Sequence, residues 1–256
     1  MKANAPIPPN VGYEGDFPPE HWYLSDGFKM PISAQTQRRE DVIQQTFEAY
    51  VAREKRDASI LANVALRWDE LHPGVGVDPD VMWVEPALPK RHRSVLTWKP
   101  GVSPPRIAVE IVGRDTAQKD YTYGPTKFGA SKTRELWIFD PEGFGKTDDG
   151  RGPWVLQVWR TVKGVFQRAY AGDGPYFSRE LGAWLVVVDD LLRVANDRAG
   201  TDLWPTAAEA RAAAEDRANA ESAARSAAEE RANAAEARVR ELEAMMAKLA
   251  KRDSTG

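Results

Sequence analysis

Two sets of acidic residues lie beside or inside short apolar segments of the sequence. Glu110 falls within the apolar run at residues 107–112, and Asp80 directly precedes the run at residues 81–84, with Asp78 two residues earlier. An ionised carboxylate buried in an apolar strand is costly unless it is paired or binds a metal. Two acids that meet on one edge of a sheet, together with water and a phosphate, suit Mg²⁺. The spacing therefore allows a magnesium site on Asp80 and Glu110.

The same acids allow a simpler interpretation. In it, Asp78 and Asp80 open a turn before a strand, and Glu110 forms a buried salt bridge. Paired acids also occur in purely structural ion-pair networks. The residue types and their spacing leave both interpretations open.

Four motifs follow one another through the middle of the chain: Pro79-Asp80, Val109-Glu110-Ile111-Val112, Lys119-Asp120, and the segment from Glu135 to Pro141. In these motifs the chain resembles the bacterial putative restriction endonuclease family of the PD-(D/E)xK nuclease superfamily, over residues 20 to 190. The resemblance implies an α/β (α+β) fold with a mixed β-sheet flanked by helices. It also implies Mg²⁺-dependent cleavage of phosphodiester bonds in DNA, with Mn²⁺ as an alternative metal. Asp80 and Glu110 match the two metal-binding acids of the family.

The resemblance further implies a catalytic lysine, and here the chain departs from the pattern. The superfamily places this lysine two residues after the second acid, at Val112, and the family places it four residues after Asp120, at Gly124. A lysine beside the scissile phosphate would stabilise negative charge and orient the attacking water. Either Lys127 or Lys119 takes over this role, or the chain is a weakened or inactive relative.

These observations are compatible with two functions of different classes. One is a Mg²⁺-dependent DNA endonuclease in which Asp80 and Glu110 hold the metal, and Lys127 or Lys119 supplies the positive charge. The other is a catalytically inactive nuclease-fold module that binds or assembles, and that oligomerises through its C-terminal helix. A lysine amine close to both acids would favour the endonuclease.

The composition excludes several other classes. The net charge of −3 over 256 residues gives no strong nonspecific attraction to nucleic acid, so a local basic face would have to bind DNA. Because the sequence has no cysteine, it has no disulfide, thiolate zinc site or thiol nucleophile. No apolar run approaches the length of a transmembrane helix, and no signal peptide precedes the first folded segment. We therefore expect a cytoplasmic protein without a membrane partner.

The hydrophobic pattern predicts the elements that position these residues. Residues 106–141 are typical of a strand, a helical connector that restarts at Pro125, and a second strand. The other predicted elements are a helix from Ser33 to about Glu54, one strand over residues 59–68, a hairpin over residues 154–170, and either a hairpin or a strand and short helix over residues 185–194. We expect the later elements to extend the same sheet and close the domain.

Changes in composition divide the chain into three parts. Residues 1–20 are rich in Pro and Gly and are predicted to form an extended N-terminal arm. Residues 21–198 form the predicted restriction-endonuclease-like domain. Residues 206–252 contain mostly Ala, Glu and Arg without Gly or Pro, which is typical of a long helix.

The C-terminal helix carries a repeat of seven residues. One register contains Ala214, Ala228, Ala235, Leu242 and Leu249, and the complementary register contains Ala218, Ala232, Val239 and Met246. This pattern indicates a coiled-coil seam, through which residues 206–252 could form a homodimer or dock a partner. Glu221 and Arg225 interrupt the seam, so a single long helix remains the alternative.

Overall fold

The computed structural model describes residues 13, 19–24, 33–89, 93–145 and 151–253, with the backbone alone for residues 19–20 and 248–253. The predicted N-terminal arm lies almost entirely outside these residues. The helical segments are a 3₁₀ turn (Pro19–Trp22), α1 (Ala34–Arg53), a π-helical turn (Lys119–Tyr123), α2 (Gly124–Ala130) and α3 (Ala207–Asp253). The strands are β1 (Ser59–Ala62), β2 (Ala65–Arg67), β3 (Val81–Val84), β4 (Ser94–Leu96), β5 (Ile107–Ile111), β6 (Glu135–Phe139), β7 (Leu156–Val162), β8 (Val165–Gly172), β9 (Tyr176–Ser178), β10 (Ala183–Val188) and β11 (Leu191–Ala195).

The centre of the fold is a six-stranded mixed sheet in the order β1-β3-β5-β6-β7-β8. The pair β5 and β6 is parallel, and every other neighbouring pair in this sheet is antiparallel. Every residue of β3, β5 and β6 is buried, as expected for strands that are covered on both faces. The predicted α+β architecture, a mixed sheet flanked by helices with a long C-terminal helix, is confirmed.

The connection between β5 and β6 is the predicted helical connector. A parallel pair needs a crossover, and the π-helical turn followed directly by α2 provides it. Pro125 occupies the first turn of α2, where its missing N–H costs nothing. The helix ends at Ala130, and two residues later Lys132 adopts a positive φ of 61°, which does not continue a helix.

The two faces of the sheet have separate cores. On one face, Ile43 and Phe47 of α1 pack with β-strand residues such as Val109, and the Phe47 ring contacts Trp83 and Trp137 at centroid distances of 5.3 and 5.6 Å. On the other face, Phe128 of α2 packs with a second set of strand residues: Met82, Ala108, Val112, Leu136 and Ile138. The predicted amphipathic helix is confirmed, and the Ser33 hydroxyl caps it by accepting from the Thr36 N–H at 3.1 Å.

Two details of the strand prediction are wrong. The single strand predicted over residues 59–68 is broken at Asn63, whose φ of 53° lies in the left-handed region that Asn tolerates. The chain therefore turns, and β2 leaves the main sheet to pair in parallel with β4. The last strands do form the predicted hairpin across Asp189, but they make a separate sheet, β11-β10-β9, instead of extending the central one.

The chain separates into two compact units, Met1–Ala207 and Ala208–Gly256. The second unit consists of nearly all of α3, a helix of 47 residues whose side chains are almost all exposed from Glu215 to Ala247. Among the described residues, no helix is both long and apolar enough to cross a membrane.

Candidate active site

The pairing of β3 with β5 brings two acids together. The register joins Val81 to Val109 and Met82 to Ala108, so one step further along the ladder Asp80 lies opposite Glu110. An oxygen of Asp80 accepts a hydrogen bond from the Ile111 N–H. Because side chains alternate along a strand, both acids share the sheet face of Met82 and Ala108, which the helical connector covers.

These acids open into a pocket of about 310 Å³. It is lined by Ser33, Thr36, Glu40, Asp80, Glu110, Ile111, Val112, Gly113, Arg114, Asp115, Thr116, Lys119, Asp120, Glu142 and Phe144. The lining comes from the start of α1, from the residue before β3, from the end of β5 and the turn after it, from the π-helical turn, and from the loop after β6. The site therefore depends on segments that lie far apart in the sequence.

Glu110 is 1% exposed, yet it is only partly satisfied. Its Oε2 lies 3.7 Å from the Lys119 Nζ, whereas its Oε1 has no hydrogen-bond partner among the described residues. Burial raises the pKa of Glu110 well above its usual value, the charge of Lys119 opposes this, and Asp120 and Asp80 raise the pKa further. The predicted buried salt bridge is therefore present but engages only the Oε2 of Glu110. Its Oε1 has no polar partner among the described residues.

Asp80 and Asp120 belong to the same cluster. Burial raises the pKa of both carboxyl groups, and in both cases the charge of Lys119 opposes the shift. Asp120 accepts a hydrogen bond from the Thr116 hydroxyl at 2.7 Å, which links the π-helical turn to the turn after β5. The negative charges of these neighbouring carboxylates also raise one another's pKa, so a cation beside them favours their ionised forms.

Glu40 is a further acid in the pocket wall, and the sequence analysis did not identify it. It lies on α1, is 1% exposed, and accepts one hydrogen bond, from the Asn63 side-chain amide to its Oε2 at 3.1 Å. Its Oε1 has no partner within the described part of the chain, and burial raises its pKa. Its spacing, three residues before Ile43 and seven before Phe47, places it on the buried face of the helix, but this spacing does not indicate the pocket.

Lys119 is the cation that the structure brings to these acids. Its Nζ lies 3.2 Å from the Asp120 Oδ1 and 3.7 Å from the Glu110 Oε2. Burial alone would lower the pKa of Lys119, but Glu110, Asp120 and Asp80 outweigh burial and raise it, so the amine stays protonated. A lysine amine thus lies close to Glu110, and its charge also acts on Asp80, which favours the endonuclease interpretation.

Lys127 has a different environment. It lies in α2 and is 6% exposed, and it is not one of the described residues that line the pocket. Burial lowers the pKa of Lys127 to about 8, Lys119 lowers it as well, and Glu110 raises it. The positions where the family pattern expects a lysine carry no cation: Val112 packs in the core and Gly124 begins α2.

The acid cluster fits a hard divalent cation. Among the residues that the structure describes, no group of three or more His, Cys, Asp or Glu side chains is placed so that it could hold a metal ion. Mg²⁺ does not need one, because proteins hold it through one or two carboxylates while waters and phosphate oxygens complete its shell. The unpartnered Glu110 Oε1 and the facing Asp80 carboxylate supply that donor set.

The cluster predicts how stability depends on pH. Carboxyl groups whose pKa is raised by folding bind protons more readily in the folded protein than in the unfolded chain. Their contribution to stability is complete below a pH of about 4, the ordinary carboxyl range. It is lost as the pH rises through the folded pKa, which for Asp80 is about 8. With a chelator present, the melting temperature should therefore fall between pH 5 and roughly 8.

Differential scanning fluorimetry of matched variants measures this effect. Glu110→Gln should flatten the fall in melting temperature, because it removes one of the raised carboxyl groups. Glu48→Gln, at an exposed position of α1, is the control and should leave the slope unchanged. An unaltered slope for Glu110→Gln would show that the cluster does not carry the pH dependence.

The model of a family described as "Putative restriction endonuclease", named Uma2, matches residues 13–144, just over half of the chain. No curated protein matches. One crystal structure, at 1.96 Å, is of a putative nuclease belonging to DUF820 from Anabaena variabilis ATCC 29413. It is 14% identical with a TM-score of 0.33, and the match covers 58% of this chain and 73% of that chain.

Proposed function

The chain belongs to the Uma2 family of putative restriction endonucleases, and we propose that it is a nuclease that hydrolyses phosphodiester bonds in DNA with Mg²⁺ or Mn²⁺. One observation carries the proposal: Asp80 and Glu110 face each other across adjacent buried strands, and an oxygen of Glu110 has no protein partner among the described residues. A buried carboxylate left in this state is destabilising unless a cation binds it. The proposed substrate is DNA in the cytoplasm.

Asp80 and Glu110 would hold the metal. A divalent ion bound there supplies a Lewis acid for the phosphate and lowers the pKa of a bound water. The Ile111 N–H fixes one oxygen of Asp80, and so orients this carboxylate before any metal arrives. Glu40 lines the same pocket with an unpartnered oxygen, and we propose that it accepts a hydrogen bond from a water beside the site.

Lys119 is the better candidate for the missing catalytic lysine. Its amine is protonated, half-exposed along its side chain and next to Glu110, so it can reach a phosphate oxygen that enters the pocket. A fixed cation at this point stabilises the charge that develops on the phosphate. Lys127 is buried with a lowered pKa, and we assign it a supporting role, in which its charge favours the ionised form of Glu110.

A plasmid-nicking assay tests the proposed function. We expect cleavage of supercoiled DNA with Mg²⁺ or Mn²⁺ and none with EDTA, because the two acids alone cannot activate water. The variant Asp80→Asn, purified in parallel, controls for contaminating nuclease. Cleavage that survives EDTA, or that the variant retains, would contradict the proposal, as would a failure to cut double- or single-stranded DNA with either metal.

The second candidate is an inactive nuclease-fold module that assembles through its C-terminal helix. Val112 and Gly124 favour it, since neither family position for the lysine carries a charge. The two candidates differ in metal binding as well as in cleavage. The nuclease should bind Mn²⁺ in a calorimetric titration that Glu110→Gln abolishes, whereas the module would give no heat in either form.

A further inference from the structure

One exposed face of α3 carries apolar side chains in heptad spacing. From residue 228 they alternate four and three residues apart, which is the spacing of the a and d positions in a coiled coil. Ala228, Ala235 and Leu242 occupy d positions, and Ala232, Val239 and Met246 occupy a positions. Val239 is 52% exposed, Leu242 45% and Met246 70%. We call this face the α3 seam. A stripe of this kind is typical of a helix whose apolar face is covered by another helix.

The residues on the two sides of the α3 seam carry opposite charges. The e positions hold Glu229, Glu236 and Glu243, and the g positions hold Arg231 and Arg238. In a parallel pair of helices, each g residue meets the e residue five positions later on the partner, and such pairs set orientation and partner choice. In an antiparallel pair, g meets g and e meets e, so arginines would meet arginines and glutamates would meet glutamates.

The pattern of charges is therefore complementary to itself in one orientation only. In a parallel, in-register pair, Arg231 meets the partner's Glu236 and Arg238 meets the partner's Glu243. Each contact occurs twice because of the two-fold symmetry. Val239 at a with Leu242 at d also favours two strands over three or four. The occupant that fits this face is a second copy of the same helix.

Ion pairs within α3 do not prevent its pairing with a second copy of the helix. Arg238 binds Glu241 and Arg225 binds Glu229, but all four side chains are largely exposed. Exposed pairs of this kind contribute about 0.3–0.5 kcal/mol, so they exchange readily for contacts across a dimer. Glu221 and Arg225 fall on seam positions and interrupt the apolar face, which restricts the paired region to the segment after them.

We propose that α3 binds the α3 of a second copy of this chain as a parallel, in-register two-stranded coiled coil over residues 228–246. The α3 seam forms its core, and the arginines at g and glutamates at e fix its direction. The proposal does not depend on nuclease chemistry, because it concerns α3 alone.

Cysteine crosslinking of the full chain tests this arrangement, since the native sequence contains no cysteine. Ala228→Cys and Ala235→Cys place the thiol at d positions, where two copies of a parallel dimer face each other. Ala237→Cys and Ala244→Cys make the same substitution at f positions on the opposite side of the helix. Under mild oxidation we expect most of the protein to become disulfide-linked dimer in both d variants, and little of it in either f variant.

Each other result of this experiment would overturn the proposal. Crosslinking at only one of the two d sites would indicate an antiparallel or shifted pair. Equal crosslinking at d and f sites would indicate random collision. A monomer by multi-angle light scattering, together with no crosslinking, would show that α3 is a single helix.

Charge reversal tests the orientation independently. The double variant Arg231→Glu with Arg238→Glu places glutamate opposite glutamate at these g-to-e contacts. The double variant Glu236→Arg with Glu243→Arg places arginine opposite arginine. In a parallel dimer, each double variant alone should have a Kd raised by at least about tenfold, because like charges replace ion pairs. A mixture of the two should restore wild-type affinity as a heterodimer. Homodimers as tight as wild type in both variants would contradict the parallel arrangement.

Discussion

Asp80→Asn and Glu110→Gln, made separately, should each reduce Mg²⁺-dependent cleavage by more than the roughly 100-fold that loss of an outer-shell partner costs at a metal site. Each change replaces a carboxylate oxygen by an amide NH₂, which cannot bind a cation. The amides have nearly the same shape as the acids and carry no charge into a buried site, so the variants should fold. Single-turnover cleavage of a labelled duplex at saturating enzyme measures the loss.

Glu135→Gln is the matched control for this experiment. Glu135 is also a fully buried carboxylate, on the neighbouring strand β6, where it accepts from the Ser178 hydroxyl at 2.7 Å. Burial raises its pKa to about 7, yet it does not line the pocket. Activity should survive Glu135→Gln. If all three variants lose activity equally, the loss reflects damage to the sheet, and the assignment of Asp80 and Glu110 as metal ligands is wrong.

Lys119→Met should reduce the rate of cleavage by about 10²–10³, the usual cost of removing one group that stabilises transition-state charge. The methionine keeps most of the side-chain volume and removes only the amine beside Glu110 and Asp120. Lys127→Met should have a smaller effect, because Lys127 is buried and acts on Glu110 at a distance. The rate at saturating metal isolates this loss from weaker metal binding.

Lys163→Met controls for the general loss of a positive charge, since Lys163 is exposed at the tip of the β7–β8 hairpin. It should cleave at the wild-type rate. A larger loss of cleavage rate for Lys127→Met than for Lys119→Met would make Lys127 the catalytic lysine and Lys119 the supporting one. Wild-type rates in both variants would mean that neither lysine replaces the one missing at Val112 and Gly124.

The parts of the site that could be predicted were those that violate a local rule. Glu110 stands out because a carboxylate inside an apolar strand is costly, and Asp80 because it directly precedes the next buried strand. Glu40 does not stand out, because acids are common on amphipathic helices. Its place in the pocket depends on how α1 packs on the sheet, which is a tertiary contact. Sequence spacing likewise does not reveal which of Lys119 and Lys127 reaches the acids.

In the fold, too, local features could be predicted and those that depend on tertiary contacts could not. The strand–helix–strand unit around Glu110 and the long C-terminal helix could be predicted, because hydrophobic periodicity and composition determine them locally. The break at Asn63 was missed because one residue in the left-handed region leaves the apolar pattern unchanged. The separate sheet of β9, β10 and β11 was missed because strand pairing between distant segments carries no local signal.

The unpartnered oxygens of Glu40 and Glu110 bear on whether the chain still performs chemistry. Without a cation, each of these acids lowers the stability of the domain, and replacement by glutamine or an apolar residue would raise it. A lineage that had abandoned catalysis would accumulate such replacements by drift, since most of them would be beneficial or neutral for folding. The presence of both acids in this sequence is therefore the outcome expected if the proposed nuclease activity is under selection.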